Sequence, residues 1–532
     1  MWACVRSGTS PKVRAPGRSR SRLLPHRTLV VISVSSLGRL VAKKKNALTA
    51  RDPLVSLVRA GETVARMPTS RCLTRSACAH ADTVRRIMDD IGDDDQWLAA
   101  LGAALLLERL GSLESSEETD TRRNEKRDER YARLSGYVAS LPVREPNVVA
   151  SWPETRRRFL AGTDVERALR CERAAAKREW EGCVASRSKE AALRDGFGSR
   201  ASSFLTFERY LDARSVASSR AFSVTDELGP GLVPIADLFN HRTGGNHVAM
   251  RLARGGGRED DRRLLDGGDA TPTETLGAVV VRRATRGEEV FNAYGTLGNA
   301  TLLNSYGFTQ DENPADTVSV SVPDVRAAAA LRAGRGRVVA RRLESCFASN
   351  RAPFQEHALF PLRRGIEPPT ALLVALWAAT ATDEAFARAE RDVAGARTDA
   401  GGTRRSAARD DAAAALWRVA AERAEVSGAI VTTATAEVFL EILDRRRRMY
   451  VDVPADVGED EPSDAETETW RTSLRVLVES ELAIIDEHAA ETKRRLAALR
   501  GVVVAEDEDE AKRREKRLVV ALPAADPFAL FD

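Results

Sequence analysis

Two stretches of the chain combine residue types that can do chemistry. "VPIADLFNH" (233–241) is an apolar run that carries Asp237 inside it and stops at Asn240 and His241. Pro234 within the run argues against a central strand, and the large apolar side chains argue against a surface loop. A segment that is apolar along its length and polar at its end is expected to lie inside and to finish at a site. "GEEVFNAYGTLGNATLLNSYGF" (287–308) holds Tyr294 and Tyr306, two of only six tyrosines in the chain. Tyrosine offers an aromatic wall and a hydroxyl that stays neutral near pH 7, its reference pKa being about 10. Such a group can orient a substrate without trapping a cation as a carboxylate would. His241 and His247 beside Asp237 do not make a metal site, since no further strong ligand is near and no cysteine pair is spaced C-x-x-C.

These residues need elements to hold them. "VRAGETVARMP" (58–68) reads as a turn at Gly61 followed by a strand. "DQWLAALGAALLLERLGS" (95–112) reads as a helix, with Trp97, Leu98, Leu101, Leu105, Leu106 and Leu110 at three- and four-residue spacing. Residues 131–222 read as mostly helical, broken by the proline-containing connection 140–154. "TLGAVVVRRATRGEEVFNAYG" (275–295) reads strand, turn, strand, after a Gly- and Asp-rich loop at 255–270. Beyond about residue 325 the chain reads as helical to 500, interrupted by a low-complexity stretch at 397–411. "PPTALLVALWAAT" (368–380) fits a buried helix, and 468–488 places Trp470, Leu474, Leu477, Val478, Ile484 and Ile485 on one helical stripe. The outline is α+β: a β-rich part with a helical insertion, then an all-α part.

Composition narrows the partners. The chain has 532 residues, enough for two or three domains. Its formal charge is +4, but residues 1–51 alone contribute +12, so the remainder carries −8. A mildly acidic body gives no charge argument for a nucleic-acid partner. No apolar run reaches the length of about 18 residues that a transmembrane helix needs, so no membrane association is expected. The acid-free, Arg- and Ser-rich start has the composition of an organelle transit peptide, expected over residues 1–34 with a disordered basic tail as the alternative. Six cysteines at this density fit a reducing compartment.

Four stretches, "SLGRLVA" (36–42), "SRAFS" (219–223), "VPIADLFNH" and the block at 287–308, carry a resemblance. The chain resembles SET-domain protein methyltransferases of the branch that contains the Rubisco large-subunit lysine methyltransferase. The most specific part is G-E-x-(apolar)-x-x-x-Y-G followed by N-x-x-L-L-x-x-Y-G-F, met by Gly287-Glu288, Tyr294-Gly295, Asn299, Leu302-Leu303 and Tyr306-Gly307-Phe308. Pro234 to His241 matches Pro-x-Ala-Asp-x-x-Asn-His. The resemblance implies a β-rich SET domain with a pseudo-knot over 35–312, a helical insertion at about 95–215, an all-α substrate-binding domain over 325–500 and a charged tail at 501–532. It implies S-adenosylmethionine (AdoMet) as methyl donor, held by Gly38, Arg39, Arg220, Asn240 and His241, and no metal. Substrate contacts fall to Arg220, Asp237 and Tyr306, and catalysis to Tyr294 and Tyr306. The implied partner is a non-histone protein whose acceptor lysine is docked by the helical C-terminal domain, because the cysteine cluster that closes histone-type enzymes is missing. A plastid location follows, with nucleus or cytoplasm as the alternative.

Methyl transfer to an amine is an in-line displacement at a carbon that a sulfonium has already activated. The protein's task is to orient the two reactants, which can contribute roughly 7–11 kcal/mol, and to desolvate the amine. Departures from the family pattern bear on this. Only Gly38 remains of the G-x-G-(apolar)-x-A loop, Val224 stands where a second basic residue is common, and "RTGGNHVAM" lacks a tyrosine, so substrate preference does not carry over. Two other readings stay open: a catalytically silent SET-fold binding protein, and a protein-histidine methyltransferase.

Overall fold

The computed structural model describes residues 2–6, 29–33, 60–88, 96–115, 134–145, 147–184, 204–253, 274–284, 288–333, 336–347, 359–398, 432–452 and 465–501. Gly38, Arg39, the loop at 255–270 and the charged tail lie outside the described residues, as does all but the start of the low-complexity stretch. The chain divides into two units, one of Met1–Trp152, Ala168–Leu297 and Thr301–Phe308, the other of Pro153–Arg167, Gly298–Ala300 and Thr309–Asp532.

Among the described residues the first unit holds three of the four sheets. β1 (Trp2–Arg6) pairs antiparallel with β2 (Leu29–Ser33). β3 (Thr63–Pro68) follows the turn at Gly61, whose φ of 84° only glycine adopts freely. β4 (Leu73–Thr74), β5 (Ala221–Thr225) and β6 (Gly229–Leu232) form a sheet in the order β4-β6-β5. β7 (Val248–Ala253) and β8 (Thr275–Val280) join β3 in the order β3-β8-β7. β8 lies between two partners, so its residues are apolar with little alternation, and Leu276, Ala278 and Val280 are buried.

β6 is central and yet reads "GPGL". A Cβ on Gly231 would stand 2.6 Å from Thr74 Cγ2 and 2.8 Å from the Leu73 carbonyl, so no side chain fits where β4 crosses. Pro230 pairs with Ser223 of β5 just beyond the two residues that β4 contributes, so its missing N–H is not needed on that side. After Leu232 the chain leaves the sheet. Ile235 takes φ 71°, a conformation that costs a β-branched residue about 1–3 kcal/mol, and Ala236–Leu238 make a single 3₁₀ turn. The opening apolar run is therefore a strand end, a strained bend and a turn, all inside.

The helices of this unit include α1 (Ala81–Met88), α2 (Trp97–Ser115), α3 (Asp164–Glu179), whose first residues belong to the second unit, and α4 (Phe207–Arg220). α2 was expected to bury one stripe. It is instead enclosed on nearly every side, with Leu101, Ala103, Ala104, Leu105, Leu106 and Leu107 all at 2% exposure or less. Gly102 permits this, since a Cβ there would sit 3.3 Å from Arg214 Cα of α4. Thr206 caps α4 by accepting from the Arg209 N–H at 3.3 Å. α4 runs into β5 without a loop, which fixes its last residue, Arg220, at the sheet edge. The second strand expected in 275–295 is not a ladder: residue 292 forms one isolated parallel bridge, with His241. The strand-like pattern there reflects an extended segment laid against the Asn240–Arg242 backbone.

The second unit contains β9 (Val318–Ser321) and β10 (Leu359–Leu362), an antiparallel pair whose second strand lies in the stretch read as helical from about 325. Around it lie α5 (Val322–Ala333), α6 (Gly336–Phe347), α7 (Thr370–Thr380), α8 (Asp383–Thr398), α9 (Thr433–Met449) and α10 (Ala465–Leu499). α7 is the expected buried helix, with Leu372, Val374, Ala375 and Ala378 fully enclosed. On α10 the expected stripe is buried from Trp470 to Ile485. A polar knot sits in this core. Arg446 donates to Asp164 at 2.6 Å, and the Tyr450 hydroxyl donates at 2.5 Å to Glu481, which is wholly buried. Among the described residues no helix is long and apolar enough to cross a membrane.

Candidate active site

The first unit contains a cavity of about 390 Å³ lined by Arg220, Asp237, Asn292, Tyr294 and Tyr306, with Phe222, Ala249 and Met250 among its apolar walls. That size lies within the usual range for a small-molecule site, roughly 300–1,000 Å³. Residues from Ser219 at the end of α4 to Tyr306 of the Tyr-Gly-Phe segment meet here because the strained turn at 235–238 and the segment at 291–294 converge.

Arg220 and Asp237 are the charged lining groups. The guanidinium donates through Nε to Glu145 Oε1 at 2.5 Å and through Nη1 to Asp237 Oδ2 at 3.0 Å. Burial works against the charged form of Arg220, but the two carboxylates outweigh it and raise its pKa further. Burial pushes the Asp237 carboxyl above the usual carboxylate range, opposed by Arg220. The Tyr137 hydroxyl is near enough to feel the Asp237 charge, though it has no hydrogen bond of ordinary geometry. Five guanidinium N–H groups cannot be satisfied by these two acceptors alone, so Arg220 keeps donors for a ligand.

Tyr294 is positioned from three sides. Its hydroxyl donates to the Phe239 carbonyl at 2.6 Å, and its backbone N–H donates to His241 Nδ1 at 2.9 Å. Its ring stands 5.0 Å from the His241 ring and 4.8 Å from that of Tyr306. Burial, reinforced by Tyr306, raises its phenol above the ordinary value, and burial alone raises that of Tyr306. Both phenols are neutral across the working pH range. With its hydrogen spent on Phe239, the Tyr294 oxygen presents lone pairs, and a polarised C–H or an amine can donate to them.

The Asn-His pair divides. His241 is 5% exposed, and because Nδ1 accepts from Tyr294, its Nε2–H donates to Thr243 Oγ1 at 2.8 Å. Burial lowers its pKa, which keeps the imidazole neutral as this arrangement needs. Both ring nitrogens are thus committed to the protein, and the ring stands behind Tyr294 rather than among the cavity's lining residues. The Asn240 side chain is exposed and donates to Glu289, while its carbonyl accepts the Asn292 N–H at 2.8 Å. Gly307, at φ 77°, packs so closely on Asn147 that a Cβ would lie 2.6 Å from its carbonyl carbon. Of the expected site residues, Arg220, Asp237, Tyr294 and Tyr306 share the cavity, His241 and Asn240 support it, and Gly38 and Arg39 lie outside the described residues.

Glu145 and Asn292 went unnoticed in the sequence. Glu145 is 75 residues from Arg220, inside a connection with no periodic signal. Asn292 occupies a position that the motif leaves open, but its two-residue offset from Tyr294 in an extended segment would have placed it on the same side.

Among the described residues no three His, Cys, Asp or Glu side chains gather as a metal would require. No protein-family model matches the chain. Curated relatives match in parts. The ribosomal lysine N-methyltransferase 3 of Saccharomyces cerevisiae is 44% identical over 23% of this chain and 32% of its own length. The N-lysine methyltransferase SETD6 of Bos taurus is 30% identical over 34% of this chain and 36% of its own. The protein SET DOMAIN GROUP 40 of Arabidopsis thaliana is 28% identical over 35% and 38% respectively. The chain therefore spans less than two fifths of the length of each. A crystal structure of the SET domain of LSMT bound to lysine and AdoHcy superposes with a TM-score of 0.53 at 14% identity, covering 90% of this chain and 98% of that one. The chain therefore has the fold of the LSMT SET-domain structure, and part of its length is similar to the SET-domain and lysine-methyltransferase relatives named above.

Proposed function

We propose that the chain is an AdoMet-dependent protein-lysine N-methyltransferase acting on a non-histone protein. The observation that carries this reading is a cavity in which a charged pair, Arg220 and Asp237, faces two neutral tyrosines. The relatives named as lysine methyltransferases support it. Arg220, with donors to spare, suits the carboxylate of the methyl donor, and a neutral donor-free phenol oxygen suits the reacting end. When bound, the donor supplies a methyl group activated by its sulfonium. The chain's own residues do the remainder. Tyr294 and Tyr306 wall a narrow apolar passage for a lysine stem, strip water from the amine and leave it free to lose its proton.

The second unit carries no catalytic motif and has a core of its own, which supports a substrate-docking role. The acid-free composition of residues 1–51 supports import into a plastid. The decisive experiment incubates the protein with labelled AdoMet and a soluble lysate, then identifies the labelled protein and residue by mass spectrometry. Label on lysine supports the assignment; label on histidine replaces it with the histidine reading, and no label with bound AdoMet supports the silent one. Cross-links from the identified substrate should map within 309–501, and cross-links confined to the first unit would end the docking role.

A further inference from the structure

Asn292 is a buried amide in the cavity wall that the proposed reaction does not yet use. Its backbone is fully engaged: the N–H donates to the Asn240 carbonyl at 2.8 Å and the carbonyl accepts from Arg242 at 3.0 Å. The residue is 2% exposed and lines the cavity beside Arg220, Asp237 and Tyr294. Among the described residues its side-chain amide has no hydrogen-bond partner. Buried amides are rarely left so, because an unmade bond forfeits the desolvation cost of the group. Another buried amide of the chain shows the usual outcome. Asn299 uses both ends of its side chain, donating to Asp316 Oδ2 at 2.8 Å and accepting from the Gln310 N–H at 2.9 Å.

The surroundings say what kind of group would complete Asn292. The lining holds one cation and one anion, Arg220 and Asp237, and the Asn292 amide offers both a donor and an acceptor. Ser219, Ser223 and Asn246 also line the cavity, the last already donating to the Val248 carbonyl at 3.0 Å. One positive, one negative and an uncommitted two-way amide together match a zwitterion, an α-amino acid with its carboxylate and ammonium. The nucleoside end of a methyl donor has no such charge pair. The parallel bridge between His241 and residue 292 fixes the amide two residues before Tyr294, so whatever Asn292 holds is set at a fixed offset from the Tyr294 hydroxyl.

We infer that Asn292 is a ligand-binding residue that hydrogen-bonds the zwitterionic amino-acid end of the methyl donor and thereby sets its register against Tyr294. This rests on the methyltransferase reading. The test measures, by calorimetry on the full chain, binding of S-adenosylhomocysteine and of 5′-methylthioadenosine, which lacks the amino-acid end. Asn292→Ala should weaken S-adenosylhomocysteine about tenfold, the effect of one lost hydrogen bond to a charged group, and leave 5′-methylthioadenosine within twofold. Its melting temperature should not fall, because no bond within the protein is lost. Equal weakening of both ligands, or a lower melting temperature with unchanged affinities, would make Asn292 a structural residue and overturn the inference. If the unaltered protein binds neither ligand, the methyltransferase reading itself fails, and the inference with it.

Discussion

Tyr294→Phe isolates the one atom on which the proposed chemistry depends. The substitution keeps the ring, so the contacts to His241 and Tyr306, at 5.0 and 4.8 Å between centroids, remain. The bond from the backbone N–H to His241 Nδ1 also remains, since it involves no side-chain atom of Tyr294. What disappears is the hydroxyl that donates to Phe239 at 2.6 Å. The Phe239 carbonyl loses its partner, which should cost roughly 1–3 kcal/mol of stability. The transition state loses an oriented oxygen, for which a fall of about 10²–10³ in methyl transfer is the scale of removing one preorganised polar group. Single-turnover transfer from labelled AdoMet to the identified substrate reads the second effect, and S-adenosylhomocysteine affinity, expected within about threefold, separates it from a damaged cofactor site. Turnover at the unaltered rate, in a protein that still folds, would reduce Tyr294 to packing and move the proposed role to Tyr306.

Three further outcomes follow from the geometry. His241 and His488 are both buried with lowered pKa values, so the unfolded chain takes up protons first as pH falls. Their stabilisation is therefore present above about pH 6.5 and lost as pH drops through the lowered folded values; melting temperatures at pH 7.5 and 5.5 should diverge, and His488→Gln should narrow the gap. Gly307→Ala must place a Cβ 2.6 Å from the Asn147 carbonyl carbon at φ 77°, and should cost at least about 2 kcal/mol in chemical denaturation and abolish activity. Arg446→Leu removes the partner of Asp164 beside the buried Glu481 and should destabilise the second unit by about 3–5 kcal/mol, read as an early transition in urea.

Much of this was written into local sequence. The helices α7 and α10 follow from apolar runs and stripes, because burial of one face needs only a period that the chain itself carries. The turn at Gly61 and the strand after it follow from glycine's freedom at positive φ. Tyr294 and Tyr306 were legible because a short motif fixes them by spacing, and the abrupt end of the run at Asn240 and His241 marked the site's position.

Tertiary structure alone decided how the site is divided. Nothing local says that His241 spends both ring nitrogens on Tyr294 and Thr243, or that Asn240 turns its side chain away to Glu289 while its carbonyl holds Asn292. Glu145 reaches Arg220 across 75 residues, and β9 pairs with β10, a strand inside the stretch read as helical. Hydrogen-bond partners of buried polar groups depend on which segments converge, and convergence is set by packing of the whole unit. Periodicity fixes which face of an element turns inward; it carries no information about what that face will meet.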